Sequence, residues 1–320
     1  MTTRLATVAR NVLDLIGKTP MVDVSALSPN PEVSIALKLE GQNPGGSVKD
    51  RVALALVEDA EARGLLAAGA TLIEPSSGNT GIGLALVSRV KGYHLKVVLP
   101  ENVSPERRQL LELWGAEIID SPGAEGSNGA VRLAQRLAAE NPEWVFLYQY
   151  ANTANPRVHY EQTGPEILRD CPDVTHFVAG LGTSGTLLGV GRCLKEHDPR
   201  IQIWAVEPPA GEMVDGLRNL DDGYIPPIFE LCGGERLLDR KTMVNPRDSI
   251  AWTRRLAEVG VFAGITTGAA IAGAVRCARQ IDRGVIVVLS PDGGWKYLST
   301  GAWTGDLDEV AERARRVIYF

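Results

Sequence analysis

Cysteine is scarce in this chain: Cys171, Cys193, Cys232 and Cys277 are the only four in 320 residues, and they show no paired spacing. That excludes a disulfide framework and a zinc ribbon, so no metal site is expected; small buried thiols in a reducing cytoplasm remain. A basic excess is also missing. Lys+Arg total 33 against 39 Asp+Glu, a net charge of −6, which leaves no cationic surplus to displace counterions from a nucleic acid. Long apolar runs are absent as well. The charge-free stretch Val259–Val275 is shorter than a bilayer span and is interrupted by Gly260, Gly264 and Gly268. The N-terminal segment has no apolar leader core, so a cytoplasmic location with no membrane partner is expected. What the chain does have is an ordinary globular balance, 44% hydrophobic and 22% charged, with 34 glycines. Such a glycine content, without a repeat, implies tight turns and close backbone approach to ligands. The length suggests about two domains at ~150 residues each.

A short apolar run, a turn rich in Gly, Pro, Ser or Asn, and a long amphipathic segment recur along the chain. Thr71–Pro75 precedes Asn79–Lys91, Leu95–Pro100 precedes Ser104–Trp114, and Ala116–Ser121 precedes Glu125–Glu140. Thr175–Ala179 precedes Ser184–His197, while Ile201–Val206 and Val285–Leu289 read as further strands. Continuous Val/Ile/Leu runs predict strands buried on both faces, and the alternation predicts mostly parallel sheets. The expected fold class is α/β, with two blocks at about 41–149 and 150–320 and the site between them. Pro208–Asn245 lacks periodicity and reads as a functional loop.

Three loops carry chemistry. Gly180-Leu181-Gly182-Thr183-Ser184-Gly185 is a G-x-G-x-x-G after a strand and before a helix, with Glu207 ending the next strand. Spacing alone allows a dinucleotide site. The physics requires only an anion at a helix N-terminus, and the hydroxyls of Thr183, Ser184 and Thr186 suit a phosphate monoester. Gly17-Lys18-Thr19 lacks the upstream Gly of a Walker A loop and runs into Pro20. In Asn43–Arg51 (NPGGSVKDR), turn residues deliver Lys49 to the start of a helix. The positive dipole end there lowers a Lys pKa, as a Schiff-base lysine needs; an ordinary surface Lys is the alternative. Glu74–Gly81 (EPSSGNTG) gathers hydroxyls, a carboxamide and backbone N–H groups suited to a carboxylate, or else is a plain N-cap turn.

In this order NPGGSVKDR, PSSGNTG and GLGTSGT, joined by Gly264–Ala269 (GITTGA) and Tyr297–Gly301 (YLSTG), resemble the cysteine synthase family of fold-type II pyridoxal-phosphate enzymes. The resemblance implies a tryptophan synthase β-like fold: two domains, each with a mostly parallel twisted sheet flanked by helices. Residues 41–149 would be a smaller, mobile substrate-loop domain; 1–40 and 150–320 would be a larger domain binding the phosphate of pyridoxal 5′-phosphate. It implies that Lys49 holds the cofactor and shuttles the Cα proton, and that Asn79 bonds the cofactor's 3′-oxygen. Gly182, Thr183, Ser184, Gly185 and Thr186 would hold the phosphate, and Thr266 would face the pyridine nitrogen, where the family usually has Ser. Ser76, Ser77, Thr80 and Gln149 would bind the substrate carboxylate.

The segments Gly211–Gly223, Pro100–Asn102, Glu106–Leu113 and Gly294–Tyr297 resemble the M-type, O-phosphoserine-dependent branch. There Arg218 would bind the substrate phosphate, as a guanidinium can do bidentately; alternatively it pins its loop to Asp221. The implied reaction makes L-cysteine from O-phospho-L-serine through an aminoacrylate. Its sulfur donor would be a thiocarboxylated sulfur-carrier protein or sulfide, and the enzyme a homodimer. O-acetylserine with sulfide is the alternative, for which Arg218 would be idle.

Overall fold

Strand-forming runs and helix caps sort this chain into two sheets, seen in a computed structural model that describes residues 8–76, 78–221 and 224–316. The strands are β1 (Met21–Asp23), β2 (Val33–Leu39), β3 (Thr71–Pro75), β4 (His94–Pro100) and β5 (Glu117–Ser121), then β6 (Val145–Phe146), β7 (His176–Gly180), β8 (Gln202–Glu207), β9 (Arg240–Met243) and β10 (Gly284–Ser290). A larger sheet has the order β1-β2-β10-β7-β8-β9, parallel except for the β1–β2 pair. A smaller sheet, β5-β4-β3-β6, is parallel throughout. The helices that matter most to the site are α1 (Lys49–Ala62), α2 (Asn79–Lys91), α3 (Pro105–Leu113) and α4 (Gly126–Glu140).

Alternate residues of each central strand enter different cores, which is why the runs are continuously apolar. On β10, Ile286 and Val288 pack with the helix Ile265–Ala278, while Val287 and Leu289 pack with the helix Gly185–His197. On the smaller sheet, Leu72, Val97 and Leu99 meet α1 and α2. Ile73 and Val98 meet Ala130 and Ala134 of α4 on the other face. Each such fully buried aliphatic side chain stabilises the fold by about 1.5–3 kcal/mol.

The expected strands and helices lie within a residue or two of their observed bounds. Four strands were not anticipated, for visible reasons. β1 and β6 are too short to show a period, and β9 (RKTM) is a polar edge. β2, the strand next to the sheet edge, carries Lys38, fully buried, with Nζ 2.8 Å from Glu166. Pro208–Asn245 is also less irregular than expected: it contains the short helices Pro227–Leu231 and Gly234–Leu237 as well as β9. At the start of α3, Ser104 stands before Pro105, but its hydroxyl makes no capping bond.

The two sheets are joined at a seam of buried charge. Arg51 of α1 donates from Nε to Glu40 at 2.7 Å and from Nη2 to Glu166 at 2.8 Å. The turn at Gly17–Thr19 closes the cluster: Lys18 N–H donates to Glu166, and Thr19 Oγ1 donates to Glu40. Its residues are therefore bound into the seam. Among the described residues, no helix is long and apolar enough to cross a membrane.

Candidate active site

The C-terminal ends of β3, β7 and β10 converge on one cavity, the usual location for a site in parallel sheets. Lys49, Asn79, Arg107, Gln149, Thr266 and Arg218 all line it, contributed by both sheets.

Lys49 is delivered by a turn that only glycine can make. Gly46 has φ +83°, and a Cβ there would lie 2.4 Å from the Trp295 ring; one on Gly45 would meet Asp50 Oδ1 at 2.6 Å. Gly45 N–H donates to Asp50, and Val48 N–H donates to Pro291 at the end of β10. Lys49 therefore opens α1 at the cavity wall, half-buried. Among the described residues its Nζ has neither a hydrogen-bond partner nor an ion pair. Burial lowers its pKa to about 8, against the opposing attraction of Asp292. The expected direction of the shift holds, but desolvation is its main cause.

Asn79, at the N-terminus of α2, is fixed from both ends of its carboxamide. Nδ2 donates to Asp292 at 2.8 Å, and Oδ1 accepts from the buried Lys296. Tyr297 donates its hydroxyl to the same Asp292 oxygen at 2.7 Å. The amide orientation follows from these partners: one N–H is committed to Asp292 and the second remains for a ligand.

The residues expected at the substrate carboxylate are partly engaged with one another. Ser76 Oγ accepts from Gly81 N–H at 2.9 Å, and Thr80 Oγ1 donates to Gln149 Oε1 at 2.7 Å. Ser77 lies outside the described residues. Gln149 is held from behind by Glu74, whose carboxylate accepts from the N–H groups of Tyr148 and Gln149 at 2.7 and 3.0 Å. Burial pushes Glu74 up to about 8, while those two donors pull it down.

The loop after β7 leads into a 13-residue helix, whose first N–H groups have no intrahelical acceptor. Gly182, Thr183 and Thr186 face the cavity; Ser184 and Gly185 do not line it. Ser184 has φ +70° and donates to Thr183 O, inside the loop. A Cβ on Gly185 would come within 2.0 Å of Asn155, so this position shapes the loop from behind. His159 bridges Thr163 and Thr186. Burial, reinforced by the Lys49 and Arg51 cations, keeps its imidazole neutral.

Thr266 lines the cavity, but its hydroxyl donates to the Asp215 carbonyl at 2.5 Å. It must turn from that carbonyl to donate to a ring nitrogen. The Asp215 carboxylate pairs with Arg107 of α3 at 2.6 Å, both side chains buried, and the Arg107 guanidinium lies over the Tyr297 ring. Burial raises Asp215 to about 6, against the pull of Arg107.

Arg218 is placed differently. Asp221 lies near Lys241, and Arg218 does not pair with it. Among the described residues no carboxylate lies within ion-pair reach of Arg218. Its Nη1 donates to Asn128 Oδ1 at 3.2 Å, and its guanidinium carbon lies close to the Tyr150 and Tyr224 rings.

Sequence reading did not find the roles of Arg107, Asp215, Asp292, Lys296, His159 or Glu74. Asp215 meets Arg107 across 108 residues of chain, and Asn79 meets Asp292 across 213; no local spacing signals such pairs.

A family model described as pyridoxal-phosphate dependent enzyme matches residues 12–292. Cysteine synthase B of Pseudomonas aeruginosa is 40% identical over 305 residues, covering 95% of this chain and 99% of that protein. A cysteine synthase of Staphylococcus aureus is 41% identical over 307 residues, covering 92% and 97%. The crystal structure of O-acetyl serine sulfhydrylase isoform 3 from Entamoeba histolytica superposes with a TM-score of 0.85 at 30% identity, covering 98% of each chain.

Proposed function

This chain belongs to the pyridoxal-phosphate-dependent enzymes and, within them, to the cysteine synthase family, and from that premise we propose that it makes L-cysteine from O-phospho-L-serine. The observation that carries the choice of substrate is Arg218: a guanidinium on the wall of the cavity that holds Lys49, with no carboxylate to neutralise it among the described residues. A phosphate dianion suits that vacancy of charge, and a neutral acetyl group does not.

The residues fit the family's cofactor. At Gly182 a Cβ would meet the Gly216 carbonyl at 2.8 Å, so only a bare backbone passes there. Beside it the hydroxyls of Thr183 and Thr186 and a helix N-terminus offer donors to a phosphate. Lys49 would carry the group on Nζ, Asn79 would turn its second N–H to the 3′-oxygen, and Gly182–Thr186 would hold the phosphate, with Thr266 at the pyridine nitrogen. When bound, pyridoxal 5′-phosphate supplies the electron sink that makes the substrate Cα proton labile.

Lys49 Nζ, brought toward neutrality by burial, accepts that proton and later returns it to Cα. Ser76, Ser77, Thr80 and Gln149 orient the substrate carboxylate. The Cβ–O bond breaks as inorganic phosphate departs, and Arg218 holds the leaving dianion. A sulfur nucleophile then forms the Cβ–S bond. The donor, on this reading, is sulfide, which gives L-cysteine directly, or a thiocarboxylated sulfur-carrier protein, which leaves cysteine joined to the carrier as a thioester that water must then cleave. The enzyme acts as a cytoplasmic homodimer, with residues 41–149 moving as the smaller unit against 1–40 and 150–320.

A second reading, O-acetylserine with sulfide, is favoured by the likeness to the Entamoeba O-acetyl serine sulfhydrylase. Initial rates of cysteine formation from each substrate, with sulfide and a free-thiol readout, separate the two. A higher kcat/KM for O-phosphoserine supports the proposal; a higher value for O-acetylserine puts the second reading in its place.

A further inference from the structure

Among the described residues Arg218 is held without an acid. Its guanidinium carbon lies 4.9 Å from the centre of the Tyr224 ring and 5.4 Å from that of Tyr150. The two rings meet edge to face at 5.8 Å. Its backbone N–H donates to Leu181 O at 2.7 Å, tying it to the loop after β7. Tyr150 lines the main cavity, whereas Tyr224 and Asn128 line an adjoining one that shares Arg218 with it.

The rings are themselves fixed. Tyr224 and Tyr148 share a hydroxyl hydrogen bond of 2.7 Å. Tyr148 has φ +50°, a left-handed conformation that a bulky residue adopts only under constraint. The constraint is Glu74, which accepts the Tyr148 N–H. A chain of contacts thus runs from a buried carboxylate at the end of β3, through a strained backbone, to the ring that faces the guanidinium. Aromatic faces hold a cation without accepting its N–H donors in the plane. A carboxylate in the same place would occupy those donors and cancel the charge, as Asp215 does for Arg107.

We infer that Tyr224, with Tyr150, is a specificity-determining positioning residue: the two rings hold Arg218 without consuming its donors as a carboxylate would, so that those not bonded to Asn128 stay available to a phosphodianion leaving group. The inference rests on the O-phosphoserine reading. Tyr224 acts through Arg218 and does not itself reach the reacting atoms.

The test uses holoenzyme of wild type, Tyr224→Leu, Tyr224→Phe and Arg218→Ala, with kcat and KM measured separately for O-phosphoserine and O-acetylserine. Tyr224→Leu removes the aromatic face, and the expected loss is about tenfold in kcat/KM for O-phosphoserine, mainly as a rise in KM. Turnover of O-acetylserine should stay within about twofold. Tyr224→Phe keeps the face and should retain most of the wild-type preference. Inorganic phosphate, used as a competitive inhibitor, gives a second readout, and its Ki should rise in Tyr224→Leu by the same factor as KM. Equal losses on both substrates would overturn the inference, because they mark a loosened loop. An unchanged O-phosphoserine KM in Tyr224→Leu would overturn it too. If Arg218→Ala is costly for O-phosphoserine while Tyr224→Leu is silent, only the grip is refuted. If Arg218→Ala is silent as well, the phosphate reading falls with it. Should Tyr224→Leu fail to fold, Tyr150→Leu must show the same selective loss and the same rise in phosphate Ki, or the inference fails.

Discussion

Arg51 donates through Nε, Nη1 and Nη2 to Glu40 and Glu166, whereas Lys49, two residues earlier on the same helix, has no ion-pair partner among the described residues. Burial works to lower the Arg51 guanidinium, but its two carboxylates outweigh it and hold the group above its usual value. At Glu166, where burial works to raise the carboxyl, Arg51 prevails and brings it down to about 2. Around Lys49 burial wins instead. In the seam the buried charges are matched; on the cavity wall Lys49 and Arg218 have no ion-pair partner among the described residues. The two cavity arginines repeat the contrast, Arg107 being matched by Asp215 and Arg218 lying between aromatic rings. Matched charge maintains the relation between the sheets, and unmatched charge is held for something that arrives.

The largest effect expected from breaking this contrast is at Lys49. Lys49→Ala should reduce β-replacement by at least about 10⁴-fold if, as proposed, one amine both carries the cofactor and moves the Cα proton. Single-turnover cysteine formation measures it, and activity within tenfold of wild type would remove Lys49 from the chemistry. The seam should respond in stability. Arg51→Met leaves Glu40 buried without its cation and Glu166 with Lys38 alone, at a cost of about 3–5 kcal/mol. Urea unfolding checks this, and a loss below about 1 kcal/mol would show that the seam does not hold the sheets together.

Arg218→Ala comes next. On the proposed reading, loss of a charge-assisted contact to the substrate phosphate worth about 2–4 kcal/mol corresponds to roughly 30- to 1000-fold in kcat/KM for O-phosphoserine, with O-acetylserine nearly untouched. Because Arg218 neutralises no buried acid among the described residues, its removal should leave the melting temperature within about 2 °C of wild type. Parallel losses in rate and stability would place Arg218 with the matched charges of the seam.

What was legible in the sequence was local. The loops NPGGSVKDR, PSSGNTG and GLGTSGT each carry their turn residues and their chemistry in one short segment, and all three face one cavity. The strands with uninterrupted Val/Ile/Leu runs were legible for the same reason. β2 was not, because Lys38 is acceptable on a buried strand only with Glu166 beside it, and Glu166 lies 128 residues further on. Asp292 and Lys296, which set the Asn79 amide, and Asp215, which neutralises Arg107, act through space. The dipole argument for Lys49 reached the right direction because burial, which the sequence does not display, acts in the same sense as a helix N-terminus.

The smallest expected effect sharpens the comparison from the side of stability. In cofactor-free enzyme the Lys49 amine titrates near 8, against an ordinary value of 10.5. Between those two pH values the unfolded chain carries a proton on this group that the folded chain has released. Stability therefore rises as pH increases from about 8 to 10.5, and below 8 the folded state bears the whole desolvation penalty. Lys49→Met removes the penalty, so the cofactor-free variant should be more stable than cofactor-free wild type at pH 7. The expected gain is about 1–2 kcal/mol, less than the full pKa displacement implies, because the ammonium faces an open cavity. The gap should close as pH approaches 10.5, where both side chains are uncharged. Arg51→Met should show no such closure, since its guanidinium stays charged throughout that range. Urea midpoints for the three proteins at pH 7, 9 and 10.5 make the measurement. A Lys49→Met variant less stable than wild type at pH 7 would mean that Asp292 and the surrounding groups match Lys49 after all, and the distinction between seam and cavity would fail at the residue that best illustrates it.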